Sequence, residues 1–157
     1  MITLAVLAVS GTVFYIIHSG TGAGSSKDKK NLEIRDSVSR KVYGIWSLGE
    51  SGEFAIEFIH SVNNSPVREI FKSENRMIRP LAVRFSSFGA GMLSDLEEGQ
   101  KLSRDGDALV ISGFNTSFKE LKLIVGTVSD HLLFINNEII SMRDLCGRNA
   151  HITIMIK

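Results

Sequence analysis

A chain of 157 residues has room for one domain and little else, since single domains commonly run about 100 to 150 residues. Its 18 basic and 17 acidic side chains nearly cancel, leaving no basic stripe of the kind that holds nucleic acid, so no nucleic-acid partner is expected. The single cysteine, Cys146, excludes an internal disulfide and any cysteine-rich metal knuckle.

Residues 1–26 contain no Asp, Glu, Lys or Arg, and residues 2–17 are mostly apolar. A helical membrane crossing needs about 20 such residues, so residues 1–19 read as an N-terminal hydrophobic leader, either a signal sequence removed near residues 20–25 or an uncleaved anchor helix. Residues 20–30, rich in Gly, Ser and Lys, read as a flexible tether that separates this segment from the rest of the chain. Lys27, Lys29 and Lys30 flank the segment on its C-terminal side, and charge counting alone would hold the domain in the cytoplasm. They are few and interrupted by Asp28, and the expectation is an extracytoplasmic domain, anchored to the cell membrane or secreted after leader cleavage.

Residues 31–157 are expected to form a single β-rich domain. Leu32 and Ile34 are spaced for a short strand, and residues 42–48 fit a second. Residues 49–52 form a turn, and the clearest alternation runs over residues 54–62. There Phe54, Ile56, Phe58 and His60 share one face, because side chains two apart in a strand point the same way. Asn63-Asn64-Ser65-Pro66 supplies a reversal, since Asn and Ser bond locally to the backbone and proline sets φ. Residues 67–73 therefore return antiparallel, with Val67, Glu69 and Phe71 on one face. An imidazole and a carboxylate thus fall on otherwise apolar faces. A carboxylate there needs a partner or must take up a proton, and whether it meets His60 depends on register.

In residues 77–85, Leu81, Val83 and Phe85 mark the expected buried face and Ala82 and Arg84 the other, with Pro80 signalling an edge or bulge. Two glycines break the strand after Ser86. Residues 94–107 are polar and turn-prone and are expected as a flexible loop. Further strands are expected at residues 108–112, 121–125, 131–135, 139–142 and 151–156, with Asn136-Asn137 as a hairpin turn and room for a helical turn near Asp144. Short strands at regular spacing predict an all-β fold, a compact antiparallel β-sandwich or partly open barrel.

His60-Ser61-Val62-Asn63, then Pro66-Val67 with Glu69 and Phe71, then Arg84-Phe85-Ser86-Ser87-Phe88-Gly89-Ala90-Gly91-Met92 form an ordered set of motifs. Over residues 31–156 the chain resembles the bacterial and archaeal family catalogued as domain of unknown function 1850. Ser94-Asp95-Leu96 departs from the proline-containing continuation usual in that family. The resemblance implies export or membrane anchoring. It also implies an accessory role beside a tripartite ATP-independent periplasmic transporter of the solute-receptor type, whose membrane subunit or solute-binding protein would be the partner. It implies no enzymatic activity and names no ligand.

The candidate ligand-binding residues are His60, Ser61, Asn63, Glu69, Arg84, Ser87, Gly89 and Gly91. His60, Glu69 and Arg84 offer a base, an anion and a cation, and Gly89 and Gly91 permit successive backbone N–H groups to cradle an anion. The alternatives are a polar pair that holds strand register and a tight bulge that reverses the chain. A small carboxylate or phosphate is the ligand class this grouping suits. No cofactor or metal is expected: His60 and Glu69 are two ligands only, and His131 or His151 would join them only if the fold brought it over. His151 alternates with polar positions and is expected exposed, whereas His131 shares parity with Leu133 and Ile135. A serine hydrolase using Ser65 or Ser87 with His60 and Glu69 is the enzyme alternative, without a nucleophile elbow to support it. Cys146 reads as a small, partly buried turn residue, and Trp46 and the phenylalanines as core.

Overall fold

The computed structural model describes residues 7–9, 12–16, 30–61, 64–86 and 96–157. Its strands form two antiparallel sheets packed as a sandwich. The first contains β1 (Leu7–Val9), β2 (Thr12–Ile16), β3 (Asn31–Asp36), β4 (Val42–Ser47), β10 (Glu120–Ile124) and β13 (His151–Ile156), in the order β1-β2-β10-β13-β3-β4. The second contains β5 (Glu53–His60), β6 (Ser65–Glu74), β7 (Met77–Phe85), β8 (Lys101–Asp105), β9 (Ala108–Ser112), β11 (His131–Ile135) and β12 (Glu138–Ser141), in the order β12-β11-β5-β6-β7-β9-β8. One short helix, α1 (Met142–Cys146), comes after β12, with the Ser141 side chain capping it by accepting from the Asp144 N–H.

Alternation explains the core. Ile34, Ile154 and Leu121 lie side by side across three strands of the first sheet, all buried, and face Phe54, Ile56, Phe71 and Leu133 of the second. Phe54 and Phe71 are cross-strand partners whose rings stack at 5.3 Å. Each such side chain contributes roughly 1.5–3 kcal/mol on burial. A second cluster, Phe58, Val67, Val83, Phe85, Ile111 and Phe114, continues the inner face of the seven-stranded sheet. The sheets are joined where Ile78 and Phe118 exchange backbone hydrogen bonds of 2.7 and 2.8 Å. The outer edge of β7 is therefore shared: Ile78 bonds the approach to β10, and residues 82–85 bond β9.

Two expectations need correction. Leu81 is half-buried, and Ile78 takes the inner position instead. Ile70 pairs Ala82 while Phe71 pairs Pro80, so Leu81 is the extra residue of a bulge and parity switches there. Pro80 sits in the gap between the two partners of β7, where its missing N–H breaks no ladder. Residues 101–105, expected within a loop, form β8. All five are exposed, so no buried face marks them, but Gly106, at φ 60, begins a two-residue turn from Asp105 to Ala108. At the N-terminus residues 7–9 and 12–16 are extended: β1 pairs β2, and β2 joins the edge of β10 through Ile16–Leu121 and Tyr15–Lys122; the rest of the expected leader, residues 1–19, lies outside the described residues. Among the described residues no helix is long and apolar enough to cross a membrane. The other expected strands fall within two residues of their expected positions, and Asn136 and Asn137 take φ 48 and 66 in the hairpin between β11 and β12.

Candidate functional site

The register of the β5–β6 hairpin decides how its polar residues are placed. Phe54 pairs Phe71, Ile56 pairs Glu69, Phe58 pairs Val67 and His60 pairs Ser65. His60 and Glu69 thus share the inner face, with the Phe58–Val67 pair between them. Four residues along a strand span about 13 Å, too far for a direct bond. Both are buried, His60 fully and Glu69 at 5% exposure. Ser61 lies exposed in the turn after β5. Asn63, Ser87, Gly89 and Gly91 lie outside the described residues.

Arg84 does not join His60 and Glu69. It alternates with Val83 and Phe85, which are buried, so its side chain leaves the opposite face of β7. The expected His60–Glu69–Arg84 grouping is therefore divided between the two sides of one sheet, by the same period-two geometry that placed each residue.

On the inner side, Glu69 lines a cavity of about 50 Å³ together with Phe71, Val83, Phe114, Phe118 and Leu121. The cavity lies at the bulge, where residues 113–117 leave β9 and cross to the Phe118 bridge. Among the described residues no hydrogen bond or ion pair reaches the Glu69 carboxyl, and burial alone pushes it up to about 7.

On the outer side, Arg84 stands directly across from Arg68 of β6. Like charges so placed repel, and each is matched by a carboxylate, Glu57 of the adjacent β5 for Arg68 and Asp105 of β8, beyond β9, for Arg84. Arg68 Nε donates to Glu57 Oε2 at 2.8 Å and Arg84 Nη1 to Asp105 Oδ2 at 2.5 Å. The Arg68 guanidinium also lies 4.0 Å from the ring centroid of Phe134. Glu57, Pro66, Arg68, Arg84, Ser86 and Asp107 line an open groove of about 340 Å³. Arg68 is absent from the residues singled out by sequence, although a signal exists: it alternates with Val67 and Glu69, so it has to leave the face opposite theirs.

His131, His151 and Cys146 lie elsewhere in the fold. His131 is 3% exposed, and its Nδ1 accepts from the Gly126 N–H at 3.2 Å, which requires the proton on Nε2. Burial pushes it down to about 4, aided by Arg143 and opposed by Asp130. Its ring lies 5.5 Å from that of Phe58. His151 is exposed on β13. Cys146 ends α1 half-buried, its thiol pushed up to about 11, chiefly by burial. No group of three or more His, Cys, Asp or Glu side chains with metal-binding geometry occurs among the described residues.

A family model described as Domain of unknown function (DUF1850) matches residues 54–142, more than half of the chain. The match spans nearly all of the seven-stranded sheet and β10, and leaves β3, β4 and β13 outside. No curated protein and no solved structure matches.

Proposed function

Because the chain belongs to the family described as Domain of unknown function (DUF1850), we propose that it is an extracytoplasmic, non-catalytic accessory domain that acts by binding beside a transporter of the solute-receptor type. The partner is the membrane subunit or the solute-binding protein of that transporter. The observation that carries this reading is how the family-matched sheet divides its polar groups. His60 and His131 are closed inside the sandwich, away from any substrate, whereas Arg68 and Arg84 line an open outer groove beside their carboxylates. Paired charges beside an aromatic ring suit a docking surface, where electrostatic complementarity sets orientation and association rate. The apolar N-terminal segment is the membrane-targeting element.

Pull-down from membranes that contain the transporter tests the partner. Transport components are expected to co-purify with the native chain and to be lost with the double variant Arg68→Glu, Arg84→Glu; reproducible absence of any transport component sinks the reading. Reporter fusions at both ends test the location, and a cytoplasmic C-terminus would falsify export.

A second reading rests on the direct Arg68–Arg84 juxtaposition. Two guanidinium groups on one face suit a small carboxylate or phosphate. Ser87, Gly89 and Gly91, which come after Arg84 in sequence, would add hydroxyl and backbone donors. Calorimetric titration with succinate and with inorganic phosphate should give saturable binding that is lost in Arg84→Ala. Heats indistinguishable from dilution eliminate this reading.

A further inference from the structure

We propose that the inner cavity beside Glu69 is a binding site for a small organic cation, a primary or quaternary ammonium carrying no more than a few carbons. The site lies on the face of β6 opposite the Arg68–Arg84 groove and is independent of the partner reading above.

The first reason is the chemistry of the walls. Among the described residues Glu69 is the only charged one lining the cavity, and Phe71, Phe114 and Phe118 line it with aromatic rings. A carboxylate facing aromatic rings suits an ammonium ion: the carboxylate neutralises the charge and the ring faces attract it. An anion would be repelled, and a neutral molecule would leave an ionised Glu69 without a counter-charge.

The second reason is that packing does not require a carboxyl here. Glu69 pairs Ile56 on one side and Val83 on the other, both on the inner face, where a leucine or methionine of similar volume would fill the space without desolvating a charge. A buried acid with no partner among the described residues and with a strongly raised pKa is a feature that stability alone does not explain.

Size sets the limit on the ligand. A cavity needs about 10–15 Å³ of such volume per water molecule, so about 50 Å³ holds a ligand of only a few heavy atoms. Half-buried Pro80, Ala82 and Thr116 also line it and form its approach at the bulge.

The test uses the full chain, titrated calorimetrically with ethylammonium, tetramethylammonium and, as a neutral isostere, tert-butanol, at constant ionic strength and at pH 8 and pH 5. Among the described residues the groups facing Glu69 from β5, β7, the 113–118 crossing and β10 are Ile56, Val83, Phe114, Phe118 and Leu121. None of these titrates, so the pH response reports Glu69. Saturable binding of at least one ammonium is expected at pH 8, weakening at least tenfold at pH 5 and abolished in Glu69→Gln. The amide variant removes a buried charge and is expected to fold. No saturable binding by either ammonium at pH 8 overturns the proposal, as does tert-butanol binding equally well or Glu69→Gln binding unchanged. The partner reading is untouched by each of these outcomes, since no membrane component is present.

Discussion

Burial shifts Glu69 and His131 so that they act on stability in opposite directions. Glu69 is raised from 4.5 to about 7. Between those values the folded chain holds a proton that the unfolded chain lacks, so this group favours folding at low pH and the benefit is lost as pH rises through about 7. His131 is lowered from 6.5 to about 4. In that window the unfolded chain holds the extra proton, and stability falls as pH drops. Each effect is on the order of 3 kcal/mol, and between about pH 4.5 and 6.5 they largely cancel. Glu69→Gln is expected to unmask the histidine: urea unfolding should show the variant more stable than the native chain at pH 8 and losing roughly 3 kcal/mol between pH 6.5 and 4. A variant that tracks the native chain at pH 8 and pH 4.5 would refute the assignment. Gly126 offers a simpler test. A Cβ there would run into the Ser129 carbonyl oxygen and approach His131, so Gly126→Ala should cost about 1–3 kcal/mol in thermal or urea unfolding.

The bulge in β7 is the element on which the architecture turns. It releases Pro80 from ladder duty, moves Ile78 inward and lets β7 bond first to Phe118 and then to β9. Phe118 is 4% exposed, so Phe118→Ala is expected to cost about 3–5 kcal/mol by urea unfolding, and a loss below 1 kcal/mol would show that its ring adds little where the sheets join. The N-terminal strands raise a different issue, because the same residues cannot lie in a membrane and along β10 at once. Purified chain lacking residues 1–29 exposes the β10 edge at Leu121 and Lys122. Its melting temperature should fall by about 2–4 °C for each kcal/mol of docking lost. An unchanged melting temperature would show that β2 adds nothing to the sandwich in solution. These features are only partly legible in the sequence: Pro80 signals a bulge, but its effect on Leu81 requires the partner strands, and β8 carries no apolar residue on a buried face to reveal it.

At the scale of the molecule, the strands pair across long stretches of chain. β5 pairs β11 at Phe58–His131, and β3 pairs β13 at Leu32–Ile156. Closing such loops before any contact rewards them slows folding, and refolding by stopped-flow fluorescence of Trp46 is expected in the millisecond-to-second range. The same pairing creates two independent surfaces. Charge reversal at Arg68 and Arg84 should abolish capture of the transporter partner while moving the melting temperature little, since half-exposed ion pairs are worth about 0–1 kcal/mol. A change at Glu69 should do the converse and leave partner capture intact.

Local geometry accounts for everything legible before folding is considered. Period-two alternation assigns His60 and Glu69 to one side and Arg84 to the other of their strands, and Asn64, Asn136 and Asn137 take left-handed turn conformations that their residue type tolerates. Register and partnership belong to the folded molecule alone. Folding sets Phe58 and Val67 between His60 and Glu69, places Arg68 beside Arg84, pairs Asp105 of an otherwise featureless polar strand with that arginine, and opens the cavity at the bulge. The reason is physical: side-chain parity is a property of one strand, whereas distance across a sheet depends on which strands become neighbours, and that is settled by how two apolar faces close over a shared core.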